Sequence, residues 1–197
     1  MAHTLTPQII GLDWGTSSLR AYLIAEGGAV IESLSCPWGI QQVPGGDFAK
    51  ALSGTISAWQ TAHAGLPIIA SGMIGSRGGW REVPYIPCPV DPSTLAAGLL
   101  SVASSNGLVH LVPGVIQPGS LPDVMRGEET QILGALAGEL TLASLSLVVL
   151  PGTHCKWVFV RNGLIQSFST HMTGELFALL REHSILGRPA REASPRK

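Results

Sequence analysis

Charge is scarce in this chain. Only 13% of its 197 residues are Asp, Glu, Lys or Arg, and the formal net charge of −1 leaves no basic field for nucleic acid or an anionic membrane surface. Long apolar runs are missing too. The best candidate, residues 140–150, is broken by Thr141, Ser144 and Ser146 and falls short of the ~20 residues that a membrane-spanning helix needs. The opening Met1-Ala2-His3-Thr4 lacks the basic-then-apolar order of a secretory leader. The three cysteines, Cys36, Cys88 and Cys155, are odd in number and too widely spaced for a disulfide framework or a zinc knuckle. No solenoid-type repeat occurs. These absences lead to the expectation of a soluble protein of the reducing cytoplasm, and they exclude nucleic acid and membrane as partners at this level of reading.

What is present is glycine, proline and apolar bulk. With 24 Gly, 14 Pro and 45% hydrophobic residues, the chain should bury a sizeable core of short strands joined by tight turns. The patterns predict strands at 8–13, 18–26 and 29–35, the last two joined by Glu26-Gly27-Gly28. Asp47 is placed to cap a helix running to about His63. A buried strand at 66–70 leads into the glycine-rich run 71–80. Asp91-Pro92-Ser93 opens another helix with Pro92 in its first turn, and 108–112 is a further strand. A helix over about 125–139 precedes a strand at 144–150, a hairpin of 156–161 and 164–169 around Asn162-Gly163, and a last helix from Gly174 to His183. Hairpins leading into alternating strands and helices predict an α/β fold with a mixed sheet.

Residues 9–24 carry the first chemical signal. Two apolar strands flank Asp13, Gly15, Thr16, Ser17 and Ser18. Gly15 has no Cβ and lets a ligand approach the backbone. The hydroxyls and amides of Thr16 and Ser17 can donate to phosphate oxygens, and Asp13 is a candidate Mg2+ ligand. The same composition also serves a plain polar turn. A looser echo appears at Pro151-Gly152-Thr153-His154, again between an apolar strand and a hairpin partner; two such turns facing each other would clamp a polyphosphate. In the 125–139 helix, Glu129 shares a face with Met125, Ile132, Leu133 and Leu136, and Glu128 borders it. A carboxylate on an inward face is costly unless paired or functional, and burial raises its pKa toward that of a general base. The alternative is an ion pair with Arg126, or first-turn carboxylates favoured by the helix dipole. His154-Cys155 as a thiol and its base is disfavoured, because neighbours on a strand face opposite ways.

Five blocks in order, Gly11-Leu-Asp-Trp-Gly-Thr-Ser-Ser-Leu-Arg-Ala, Gly72-Met-Ile-Gly-Ser, Met125-Arg-Gly-Glu-Glu-Thr-Gln, Pro151-Gly-Thr-His-Cys-Lys-Trp-Val and Met172-Thr-Gly-Glu-Leu, resemble the 2-dehydro-3-deoxygalactonokinase family. That family belongs to the sugar-kinase, hsp70 and actin superfamily. The resemblance implies a ribonuclease-H-like first lobe over 1–140 and the opening hairpin and helix of a second lobe over 141–186. It implies ATP and Mg2+ as cofactors, and transfer of phosphate to the 6-hydroxyl of 2-dehydro-3-deoxy-D-galactonate. It further implies phosphate contacts at Gly152 and Thr153, with Lys156 facing the nucleotide. A 2-keto acid brings a carboxylate, for which Arg77, Arg81 and Arg126 are candidate partners, the alternative being solvated arginines. Thr173 and Glu175 open the last helix, where free amides meet anions; an ordinary cap at Thr173 is the other reading.

In the superfamily the adenosine-binding glycine motif comes late in the second lobe, and this sequence reaches Lys197 without it. The expectation is a fragment or an early end, with 187–197 a disordered tail. Two further readings stay open: a remnant that binds sugar acid or phosphate weakly, and a phosphatase-like hydrolase on the same scaffold.

Overall fold

The computed structural model describes residues 5–189. Strands β1 (Pro7–Trp14), β2 (Leu19–Ala25) and β3 (Val30–Cys36) form the expected antiparallel meander. Alternation drives one face of β1 and β2 inward, burying Ile10, Leu12, Trp14, Leu19, Ala21 and Leu23. Helix α1 (Phe48–Ala62) starts where the Asp47 carboxylate accepts the Lys50 amide at 3.0 Å, and it lays Leu52, Ile56 and Trp59 on that face. β4 (Ile68–Ser71) then pairs parallel to β1, in a register that sets Asp13 beside Ser71.

The chain continues through β5 (Ile86–Pro87), α2 (Pro92–Ala97), β6 (Leu100–Ser104), β7 (Gly107–Leu111), β8 (Val115–Gln117) and β9 (Asp123–Met125). It then forms α3 (Glu128–Gly138), α4 (Thr141–Ser144), β10 (Leu145–Leu150), β11 (Cys155–Arg161), β12 (Leu164–His171) and α5 (Gly174–His183). The main sheet has the order β3-β2-β1-β4-β7-β6, with β1, β4 and β7 parallel and the other pairings antiparallel, so the mixed α/β architecture is as expected. Two three-stranded sheets, β5-β8-β9 and β10-β11-β12, complete it. One core lies between the main sheet and α1. A second joins Val90, Leu95, Val115, Met125, Ile132 and Leu136 to Val158, Val160, Ile165 and Phe168.

Three expectations change. The helix expected from 125 begins at Glu128, because Met125 pairs with Val115 as the end of β9 and Gly127 turns the backbone at φ 109°. Strands β5, β6, β8 and β9 have no counterpart among the strands that the sequence pattern predicts. β5, β8 and β9 hold two or three residues each, too few to carry a period; β6 pairs with β7 across Ser105-Asn106. Of the expected disordered tail, Gly187 closes a single helical turn, Ile185–Gly187, whose entry is capped by Ser184 Oγ accepting the Leu186 amide at 3.1 Å. Residues 190–197 lie outside the described residues.

Candidate active site

β1 delivers Asp13 to the carboxyl end of the main sheet, on the face away from α1, because it alternates with buried Leu12 and Trp14. The turn that follows is closed by the Gly15 amide donating to the Ser18 carbonyl at 2.9 Å. A strap from Trp38 to Gln42 supports it from below. Trp14 Nε1 donates to the Trp38 carbonyl at 2.7 Å, and the Ile40 amide donates to the Gly15 carbonyl at 3.0 Å. Gly39 lies buried against the main chain of Thr16 and Ser17. Sequence reasoning missed this strap, because its contribution is backbone contact rather than a side chain with recognisable chemistry.

β4 ends at Ser71, and the chain turns through Gly72 at φ 98° under the Trp14 carbonyl. The start of α3 abuts the same place: a Cβ on Gly127 would stand 3.3 Å from Gly72 Cα. Three main-chain segments therefore meet with almost no side chain between them. The two glutamates turn back onto the amides just before their own helix. Glu128 Oε2 accepts from the Arg126 amide at 3.0 Å, while both oxygens of Glu129 accept from the Gly127 amide at 2.9 and 2.7 Å.

The result is a cleft of about 350 Å3 with two walls. One wall is Asp13, Gly15, Gly72, Arg126, Gly127, Glu128 and Gln131; the other is the turn from Leu150 to His154. The structure thus brings together Asp13, Gly15, Arg126, Glu128, Gly152 and Thr153 from the sequence-derived set. Behind it, sharing Asp13, Gly127 and Gln131, lies a more apolar groove of about 370 Å3 floored by Ile9, Gly11, Tyr22, Ile24 and Ile69. Thr16 and Ser17 sit just beyond Gly15, outside the lining.

Glu129 is buried as its apolar face required, but it lies behind the cleft rather than in it. The alternative reading, an ion pair with Arg126, gives way to bonds from the Gly127 amide, with Ser71 and Thr130 hydroxyls at 3.4 and 3.3 Å and bonded to each other at 2.8 Å. Burial pushes its carboxyl up to about 7, the amide bonds and Arg126 opposing more weakly. The folded chain therefore holds this proton more tightly than the unfolded chain, whose ordinary value is 4.5. The stability it contributes is complete below about pH 4.5 and is lost as the pH rises through about 7, by a few kcal/mol at most. Urea unfolding should show a midpoint that declines across that interval, and Glu129→Gln should flatten the decline. An unchanged slope in the variant would assign the pH dependence elsewhere.

Arg126 is nine-tenths buried. Its Nη2 donates to the Val83 carbonyl at 2.8 Å, and its guanidinium stacks 4.2 Å above the Tyr85 ring. Its Nε and Nη1 are buried with no partner among the described residues. The other candidates stand apart from the cleft. Arg77 and Arg81 are exposed on the bend that follows β4. Lys156 is buried in the second core, where Nζ donates to the Val124 carbonyl and to Thr170 Oγ1, both at 2.6 Å, with Asp123 3.9 Å away. That places it on the inner face of its sheet, outside the lining of the cleft. Glu175 pairs with His154 at 2.8 Å, and with Gly174 it ties α5 to the 152–153 carbonyls. Thr173 occupies the cap position of α5 without a side-chain cap bond. Cys155 is buried in the sheet, and His154 faces Glu175.

A family model described as 2-keto-3-deoxy-galactonokinase matches residues 13–197. A probable 2-dehydro-3-deoxygalactonokinase of Rhizobium meliloti (strain 1021) is 42% identical over 183 residues, covering 92% of this chain and 59% of the relative. The 2-dehydro-3-deoxygalactonokinase of Escherichia coli (strain K12) is 38% identical over 184 residues, covering 93% and 60%. A solved structure of a candidate 2-dehydro-3-deoxygalactonokinase from Sinorhizobium meliloti superposes with a TM-score of 0.84 at 40% identity, covering 94% of this chain and 61% of that one. The chain spans about three-fifths of the length of these relatives.

Proposed function

Since this chain belongs to the 2-keto-3-deoxy-galactonokinase family, we propose that its cleft is the phosphoryl-transfer site of a kinase acting on the 6-hydroxyl of 2-dehydro-3-deoxy-D-galactonate, with ATP and Mg2+ as cofactors. The observation that carries the reading is the meeting of the Asp13–Gly15 turn, the Glu128 carboxylate and the 151–154 turn around one cavity. Residues 1–140 supply one wall and residues 141–186 the other, an arrangement suited to a ribonuclease-H-like lobe facing the start of a second one.

The residues fit the cofactors in chemical type. Mg2+ takes one or two carboxylates, several waters and phosphate oxygens. Asp13 offers a side chain 40% exposed, held among the described residues by an exposed pair with Arg20 at 3.2 Å. Among the described residues no cluster of three or more His, Cys, Asp or Glu side chains stands ready for a resident metal, so the ion would arrive with the nucleotide. When bound it would neutralise charge on the transferring group. Gly15, with no side chain, lets a phosphate approach the turn closely, and Gly152 would offer its main-chain amide to phosphate oxygens. Glu128, on the cleft wall, would orient the acceptor hydroxyl and take its proton. Glu129 would act behind it by fixing the turn at Gly127.

The test is release of ADP by the purified chain with ATP, Mg2+ and 2-dehydro-3-deoxy-D-galactonate, followed beside calorimetric titration of each ligand. Acceptor-dependent ADP release with retention of the phosphate on the sugar acid is the expected result. Steady release of inorganic phosphate without acceptor would replace the reading with a hydrolase. Binding of the acid without nucleotide would reduce it to a binding remnant.

A further inference from the structure

Arg126 carries a charge that the folded chain leaves unanswered. A guanidinium has five N–H donors and no acceptor. Nη2 donates to the Val83 carbonyl at 2.8 Å, and the plane stacks on Tyr85, but Nε and Nη1 are buried with no partner among the described residues. Two carboxylates stand within three residues of it, and both are turned elsewhere. Glu128 accepts from the main-chain amide of Arg126, and Glu129 accepts from that of Gly127. Burying a charge without a counter-ion is costly, so orphaned donors of this kind point to a partner that arrives later. Glycine keeps protein out of the place beside them. Gly75 lies on the bend after β4, and a Cβ there would stand 2.9 Å from Nη1. Arg126 also lines the cleft, next to Gly72, Met73 and Glu128.

We propose that the free N–H groups of Arg126 anchor the carboxylate of the acceptor acid, and that this contact makes the cleft selective for acids over neutral sugars. The guanidinium presents its donors in a rigid fork, and a carboxylate, with two oxygens that only accept, matches such a fork. The proposal rests on the kinase reading for which acid this is. It adds the end by which that acid is held: the carboxylate at Arg126, with the hydroxyl end left to reach Glu128 on the cleft wall. A neutral sugar of the same length would leave the donors as orphaned as they are in the free chain, which is the strongest basis for rejecting it. Because both nitrogens are buried, the acid displaces the bend at Gly75 to reach them. A phosphate also suits the fork, and the experiment separates the two.

The experiment follows the melting temperature of the 197-residue chain as ligand is added, for the parent, Arg126→Met and Arg126→Lys. The probes are 2-dehydro-3-deoxy-D-galactonate, its primary amide and inorganic phosphate, with no nucleotide present. At about a hundred times its dissociation constant the acid should raise the melting temperature of the parent by about 5 °C or more, and the amide should not. Arg126→Met should weaken the acid by about thirtyfold or more. Arg126→Lys, which keeps the charge without the fork, should recover part of that loss. Without ligand, Arg126→Met should melt within about 3 °C of the parent, because removing an unpaired buried charge offsets the lost bond to Val83. If that variant does not fold, the lysine variant and the amide decide the matter. Equal stabilisation of the parent and the folded variants by the acid would overturn the proposal. So would an amide or a phosphate as effective as the acid, or an acid that leaves the parent unchanged. ATP enters none of these readouts. Failure of ADP release with the shifts intact would remove the kinase reading and leave the anchor standing.

Discussion

Asp13→Asn is expected to lower acceptor-dependent ADP release by at least about a hundredfold while leaving the melting temperature within about 2 °C of the parent chain. The two halves of that expectation have separate physical origins. Asp13 contributes little to stability, since its ion pair among the described residues, with Arg20 at 3.2 Å, is exposed on both sides. Its place in the cleft is another matter. The register of β1 on β4 fixes the carboxylate beside Ser71 and across from the Gly152–Thr153 turn. The amide is nearly the same size but carries no charge, so it keeps the packing and, on the proposed reading, loses the charge that would hold a cation. Comparable rates for the variant and the parent would remove Asp13 from the mechanism, and a matching loss of stability would make it a structural residue.

Gly39→Ala should be severely destabilising, although it lies outside the chemistry. A Cβ at that position would stand 2.1 Å from the Thr16 carbonyl oxygen and 2.3 Å from the Ser17 amide nitrogen. Both are main-chain atoms, with no rotamer to yield. Either the strap from Trp38 to Gln42 lifts away or the turn after Asp13 is displaced, and overpacking of this kind costs about 3 kcal/mol or more. For a domain of this size that is a fall in melting temperature of roughly 6–12 °C. The bond from Trp14 Nε1 to the Trp38 carbonyl crosses the same junction, so tryptophan emission should shift with it. A variant that melts normally and keeps its emission would mean that the strap does not brace the turn.

Local chemistry was readable from the sequence wherever a single residue determines the outcome. Asp47 caps α1, Pro92 enters α2 at its first turn, and Asn162-Gly163 turns the β11–β12 hairpin. The cleft's two turns were legible for the same reason, being short, polar and set between apolar strands. What escaped depends on partners distant in sequence. β8 and β9 exist because β8 pairs with β5 on one side and with β9 on the other. Lys156 points inward because Val124 and Thr170 offer oxygens there, which no spacing within its own strand reveals. The helical face of Glu129 correctly foretold burial. It could not say that the cleft opens toward Glu128, one residue back along the first turn of α3.

Where Gly72 meets Gly127, main chain rests on main chain. Changes of volume elsewhere in a core are absorbed by side chains that shift rotamer, and this junction has none to shift. The separation between the Asp13 turn and the first turn of α3 is therefore set by atomic radii and covalent geometry alone. The core of this chain can be refilled by substitution and still present its two carboxylate-bearing elements at one unchanging distance.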